Sequence, residues 1–141
     1  MAKLDPTRLR NLENRVGFDF PPEFVASLEE REPIHEGNLA IVTPDRVWDV
    51  RTTFHLANGG SRHDQLDLLY GRVGDVLPKG ALPFARDWGG NFYCLLLSGP
   101  ERGTVVWWDH ERDSDDDRVE VVCASIGDFY SQLTDRPDDA G

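Results

Sequence analysis

The chain has 141 residues, of which 39% are hydrophobic and 10% aromatic, so it can bury a core as one domain and is unlike a disordered protein. Its 26 acidic residues outnumber the 15 basic ones, which gives a formal net charge of −11. This charge disfavours nonspecific binding to nucleic acid and to anionic membranes, and it favours a partner protein with a basic surface.

The first part of the chain predicts two helices joined by a rigid turn. Asp5 is suited to cap the first helix and Pro6 to open it, and apolar residues follow at helical spacing as far as Gly17. A second helix is predicted to open at Pro22 or the residue after it, and Pro33 stops it. No apolar leader precedes them, so the cytoplasm is the expected location.

The middle of the chain predicts a strand followed by a third helix. Residues 38–42 are typical of a short strand. The sequence Thr43-Pro44-Asp45 is a helix-start signal, and the residues after it predict a helix that runs to about residue 57. The segment 61–79 fits either a short helix or an irregular cover over the core.

The second half of the chain predicts an antiparallel meander and a closing helix. Four β-rich runs, over residues 81–85, 92–97, 104–109 and 119–123, are separated by turn-forming clusters. Ser125 is suited to cap a last helix. The predicted fold is therefore α+β: an antiparallel sheet of four or more strands packed with N-terminal helices and a C-terminal helix. It forms one domain over residues 1–134, with a polar, frayed tail over residues 135–141.

Little in the sequence is typical of catalysis or metal binding. The four histidines lack the spacing of metal ligands and are interpreted as scattered surface residues: His35, His55, His63 and His110. Cys94 and Cys123 lie in apolar runs as small buried hydrophobes, and whether they lie near each other is left open. We predict no catalytic residue, no metal and no cofactor.

An acidic run near residue 115 allows two interpretations. It briefly resembles a calcium loop, but Arg118 replaces the required glycine and Ala124 stands where the bidentate glutamate belongs. It is then either a solvated loop or an anionic surface that imitates phosphates to a basic protein.

The tryptophans are the other candidates for binding. Trp88 lies in a glycine-flanked turn, and Trp107 and Trp108 are adjacent on a strand, so they point to opposite faces. One of the pair belongs to the core. The other is either an outward binding anchor or is covered by a second layer of the fold.

Four segments, in this order along the chain, resemble the SUKH superfamily of Smi–Knr type. They are LENRVGFDFPPEF at 12–24, LPFARDWGGNFYCL at 82–95, GTVVWWDHE at 103–111 and ASIGDFYSQL at 124–133. The chain departs from the family pattern where Asn-Gly-Gly usually follows the second helix, because residues 32–37 read EPIHEG. The resemblance implies an antiparallel sheet packed with helices, without catalytic residues or cofactor. Many bacterial members neutralise a secreted toxin, often a nuclease, whereas fungal relatives are signalling scaffolds.

The expected function is therefore an immunity-type protein that neutralises a cognate bacterial toxin, with a nuclease as the favoured class. A scaffold domain without a toxin partner and a small-ligand domain near residues 87–91 are the alternatives. A monomer is expected, with no nucleic acid or membrane as partner. The candidate contact residues are Asp87, Trp88, Asn91, Trp108, Asp109, Glu111, Asp113, Asp115, Asp116 and Asp117.

Overall fold

The computed structural model describes residues 4–56, 64–109 and 119–137, which form helices and two antiparallel sheets. The helices are α1 (Pro6–Val16), α2 (Pro22–Glu30), α3 (Leu66–Val73) with a 3₁₀ turn behind it (Gly74–Val76), and α4 (Ile126–Ser131). The strands are β1 (Leu39–Val42), β2 (Val47–Val50), β3 (Thr52–Thr53), β4 (Ala81–Arg86), β5 (Phe92–Leu96), β6 (Val105–Trp108), β7 (Val119–Cys123) and β8 (Thr134–Asp135). The predicted α+β fold is confirmed.

The two N-terminal helices form for the local reasons that the sequence predicts. The Asp5 carboxylate accepts hydrogen bonds from two backbone N–H groups of the first turn of α1, which otherwise lack partners. The helix ends at Gly17, whose φ of 90° is a left-handed conformation that glycine adopts without strain. The Glu13 carboxylate then accepts a 2.6 Å hydrogen bond from the Phe20 backbone and fixes the turn into α2.

The larger sheet is the predicted meander. Its strand order is β3-β4-β5-β6-β7, and every neighbouring pair is antiparallel. The segment 61–79, for which the sequence left two possibilities, contains the helix α3 within its described part.

The predicted helix after residue 45 is wrong, because this segment forms the strands β2 and β3 instead. Residues 43–46 make a tight turn in which Thr43 and Arg46 exchange backbone hydrogen bonds, so β2 folds back on β1. The Pro-Asp pair that begins a helix also favours a β-turn. Trp48 and Val50 alternate toward the core, as the period of a strand requires.

A smaller sheet of order β2-β1-β8 covers part of the larger one. Asp135, which the sequence prediction placed in the tail, pairs with Leu39 in this sheet. Residues 138–141 of that tail lie outside the described residues.

Aromatic rings connect the layers of the core. Phe20, Phe24, Phe84 and Phe129 form a series of edge-to-face contacts that runs from α2 through β4 to α4, with centroid separations of 5.7, 5.9 and 5.0 Å. Such contacts stabilise beyond the area that they bury. The core therefore continues across the helices and the large sheet.

Both cysteines are free and buried. Burial raises the pKa of the Cys123 thiol to about 11 and that of Cys94 further. Neither thiol is activated as a nucleophile. Within the ranges that the structure describes, no helix combines the length and apolar character needed to cross a bilayer.

Candidate functional site

The connectivity of the large sheet brings those predicted contact residues that the structure describes to one end. In a meander the β4–β5 turn and the connection from β6 to β7 leave from the same end of the sheet. The last row of paired residues there runs Arg86, Phe92, Trp108, Val119. We call this region the Asp87 end: residues 86–92, Trp108, Asp109 and Val119.

The two described residues that flank the acidic run, Asp109 and Val119, both lie in this region. Five predicted contact residues fall within the run and lie outside the described residues: Glu111, Asp113, Asp115, Asp116 and Asp117.

Asp87 is a buried carboxylate that organises the turn. One oxygen accepts hydrogen bonds from the backbone N–H groups of Gly89 and Asn91, at 2.9 and 2.8 Å. The other accepts from the Asn91 side-chain amide at 3.1 Å and from the Trp107 indole N–H at 2.9 Å. Because the side chain is 7% exposed and accepts four hydrogen bonds, Asp87 fixes the shape of the surface rather than projecting from it.

Trp88 is both exposed and held in place. Its side chain is 47% exposed, and its indole N–H donates a 3.1 Å hydrogen bond to the Gly37 carbonyl. The Arg51 guanidinium lies 4.7 Å from the ring centre and is itself paired with Glu36 at 3.1 Å. The indole is therefore pre-organised, which lowers the entropic cost of using it as a contact.

A second carboxylate, that of Asp49, accepts a hydrogen bond from the backbone of Trp88. Burial raises the pKa of Asp49, and the negative charge of Asp87 raises it further, while a hydrogen bond from the Trp88 backbone lowers it. Arg136 pairs with Asp49 at 3.6 Å. The region around Trp88 thus combines an aromatic surface with closely placed acidic groups.

Trp107 and Trp108 are both covered by the fold, with 5% and 4% of their surfaces exposed. Trp107 packs edge-on against Trp48 of β2 at 5.7 Å, and Trp108 packs against Phe92 at 6.3 Å. Of the two alternatives that the sequence left open, the structure therefore shows the covered one. Trp108 supports the Asp87 end from within, whereas Asn91 and Asp109 are half-buried at its surface.

Sequence reasoning missed the residues that hold Trp88. Arg51 and Asp49 belong to the segment that was predicted as a helix, and Gly37 lies just before the predicted strand over residues 38–42. The alternation of apolar and polar residues over β2 was the signal that could have identified a strand there.

One of the four histidines is not at the surface, where the sequence predicted it. His55 is buried, with 8% of its surface exposed, and that burial lowers its pKa. His35 is at the surface and its Nδ1 lies 2.8 Å from the Asp64 carboxylate, whereas His63 and His110 lie outside the described residues. In the part of the chain that the structure describes, no group of three or more metal-ligating side chains converges.

The fold and the site define an α+β domain that displays an exposed tryptophan, fixed by its neighbours, at one end of its large sheet. The chain belongs to the SMI1 / KNR4 family (SUKH-1), whose family model matches residues 3–132. It is also similar to the SPbeta prophage-derived uncharacterized protein YokK of Bacillus subtilis (strain 168), at 28% identity over 78 residues. That match covers 55% of this chain and 39% of the relative. No solved structure matches the chain.

Proposed function

We propose that this chain is an immunity-type protein that neutralises a cognate bacterial toxin by direct contact, with a nuclease as the favoured class of toxin. Family membership carries the proposal, since the family match spans residues 3–132 and neutralisation of toxins is the function that the resemblance implies for bacterial members.

The charge of the chain supports a basic partner. If every lysine and arginine were paired with one carboxylate, the net charge of −11 means that eleven acidic side chains would remain. A nuclease holds phosphates and so needs a positively charged site, which an acidic protein can occupy.

We propose the Asp87 end as the contact surface. Trp88 is exposed and fixed by Gly37 and Arg51, and tryptophan is enriched among the residues that dominate binding energy. In this proposal Asp87 and Trp108 hold the surface in shape, and the direct contacts are made by Trp88, Asn91, Asp109, Glu111, Asp113, Asp115, Asp116 and Asp117.

Co-expression with the toxin encoded beside this chain tests the function. We expect the chain to restore growth to cells that produce the toxin, and the purified proteins to form a complex. Absence of rescue together with absence of binding at micromolar concentration would refute the proposal. If growth is restored but the chain binds endogenous signalling proteins and not the toxin, the scaffold alternative would be supported instead.

A Trp88→Ala variant tests the surface. It should weaken toxin binding about tenfold or more, because it removes the exposed indole. Val76→Ala is a matched control: Val76 is 57% exposed and lies in the 3₁₀ turn behind α3, so its binding should equal that of the unchanged chain. Equal binding by both variants would exclude the Asp87 end as the contact surface without touching the proposed function.

A further inference from the structure

The large sheet has an open edge at β7. This strand is the outermost of its sheet, and within the described ranges no strand pairs with its other side. The backbone groups along such an edge can form a ladder with another chain, and proteins usually protect long apolar edges for that reason.

A groove of about 680 Å³ runs along this edge. One wall is the β1–β2 turn, and the other consists of the consecutive residues Glu120, Val121 and Val122. Successive side chains of a strand point to opposite faces. β7 departs from this alternation at Val122, where a bulge interrupts its pairing with β6. The groove lies beside the sheet edge because β7, which supplies these three lining residues, is the outermost strand.

Two planar side chains, those of Arg46 and Trp48, line the groove. The Arg46 guanidinium lies over the rings of Trp48 and Trp107, with centroid distances of 3.9 and 4.4 Å. The same side chain donates a 2.9 Å hydrogen bond to the Glu120 carboxylate on β7. These contacts tie the β1–β2 turn to the large sheet.

Exposed valines lie along and beside the groove. Val121 is 59% exposed, more than any other large hydrophobic residue among those described. Val42 and Val47 are 50% and 38% exposed, and they pair across β1 and β2 at the two ends of the turn that forms the wall. The groove thus presents apolar side chains next to an unpaired strand.

The charges at the groove indicate the kind of occupant. Asp45 is exposed on one wall. The other two charged residues among the described lining, Arg46 and Glu120, pair with each other, so the described lining keeps a net negative charge. A second copy of this chain would carry the same charge of −11 and be repelled. An extended segment with lysine or arginine alternating with apolar residues is attracted instead.

We infer that the outer edge of β7 binds an extended basic segment of a partner protein, which adds to the large sheet as a further strand. The inference rests on the proposed function for the identity of that partner, the toxin. The chemistry of the segment follows from the groove itself: main-chain pairing with β7, an apolar contact with Val121, and a cation near Asp45.

A peptide probe tests this surface without the toxin. The probe is a hexapeptide of alternating lysine and valine, added at millimolar concentration to the isotope-labelled full chain. We expect the fastest-exchanging amides of β7 to become protected in hydrogen-exchange NMR, whereas a hexapeptide of alternating glutamate and valine leaves them unchanged. Val121→Lys should lower the affinity for the lysine–valine peptide about tenfold or more, because it places a like charge beside the bound segment. Val76→Lys changes a residue that is nearly as exposed as Val121. This control variant should bind the lysine–valine peptide with the affinity of the unchanged chain.

Three results would overturn the inference. The first is no protection of β7 by the lysine–valine peptide, and the second is equal protection by the glutamate–valine peptide. The third is a dimer of the chain that Val121→Lys dissolves, which would assign the edge to a second copy. Because none of these measurements uses the toxin, failure here leaves the growth-rescue test standing, and failure of growth rescue leaves this result standing.

Discussion

A single carboxylate determines the shape of the surface that we propose for binding. Asp87 joins the β4–β5 turn to Trp107, which lies 20 residues away along the chain. A buried acceptor that satisfies four donors is costly to change, since the buried indole N–H of Trp107 would lose its partner away from water. The position of Trp88, the next residue, depends on that turn.

Asp87→Asn measures this role directly. The amide has one acceptor oxygen and places N–H groups where two donors already point, so we expect the free energy of unfolding to fall by about 2–4 kcal/mol. Asp45→Asn, at an exposed position, is the matched control and should change stability by no more than about 0.5 kcal/mol. Urea denaturation gives both values. Equal stability of the two variants would show that Asp87 does not organise the turn.

The roles of residues whose partners lie within a few positions along the chain could be predicted from the sequence. Asp5 caps α1 and Ser125 caps α4 as expected, because a cap depends on the neighbouring backbone alone. The partners of Trp88 could not be predicted. Gly37 and Arg51 approach it only after two segments far apart in the chain have folded against each other.

At the scale of elements, the error at β2 had the largest consequence. A helix there would leave Trp107 without the partner that β2 provides in Trp48. The sequence correctly predicted the strands of the meander because they are separated by strong turn signals. The β1–β2 hairpin was missed because Pro44-Asp45 begins helices and turns alike.

Arg46 connects these elements, and its replacement tests how the two sheets hold together. The guanidinium lies over Trp48 and Trp107 and pairs with Glu120. We expect Arg46→Ala to lower the free energy of unfolding by about 1–2 kcal/mol. Arg46→Lys should lower the free energy of unfolding by a smaller amount, since lysine keeps the charge but lacks the planar stacking group.

Arg10→Ala supplies the control for this series, because Arg10 is exposed on α1. Its stability should remain within about 0.5 kcal/mol of that of the unchanged chain. If Arg46→Ala were as stable as Arg10→Ala in the same urea titration, the contacts of Arg46 would not contribute to the packing of the sheets.

At the scale of the whole molecule, composition and pattern predicted the fold class, and the order of four sequence segments predicted the family. The division into two sheets could not be predicted, because β8 is two residues long and pairs with a strand nearly a hundred positions earlier. Charge is the whole-molecule property most relevant to function. An excess of eleven acidic residues creates a field that acts beyond any single contact.

The proposed neutralisation is tested most directly by the association rate of the purified chain with a candidate toxin from a neighbouring gene, measured at low and high salt. We predict tight binding whose association rate falls steeply as salt rises, while the dissociation rate changes little, because long-range attraction guides the encounter and short-range contacts hold the complex. Absence of binding at either salt concentration, or an association rate that does not respond to salt, would contradict the account.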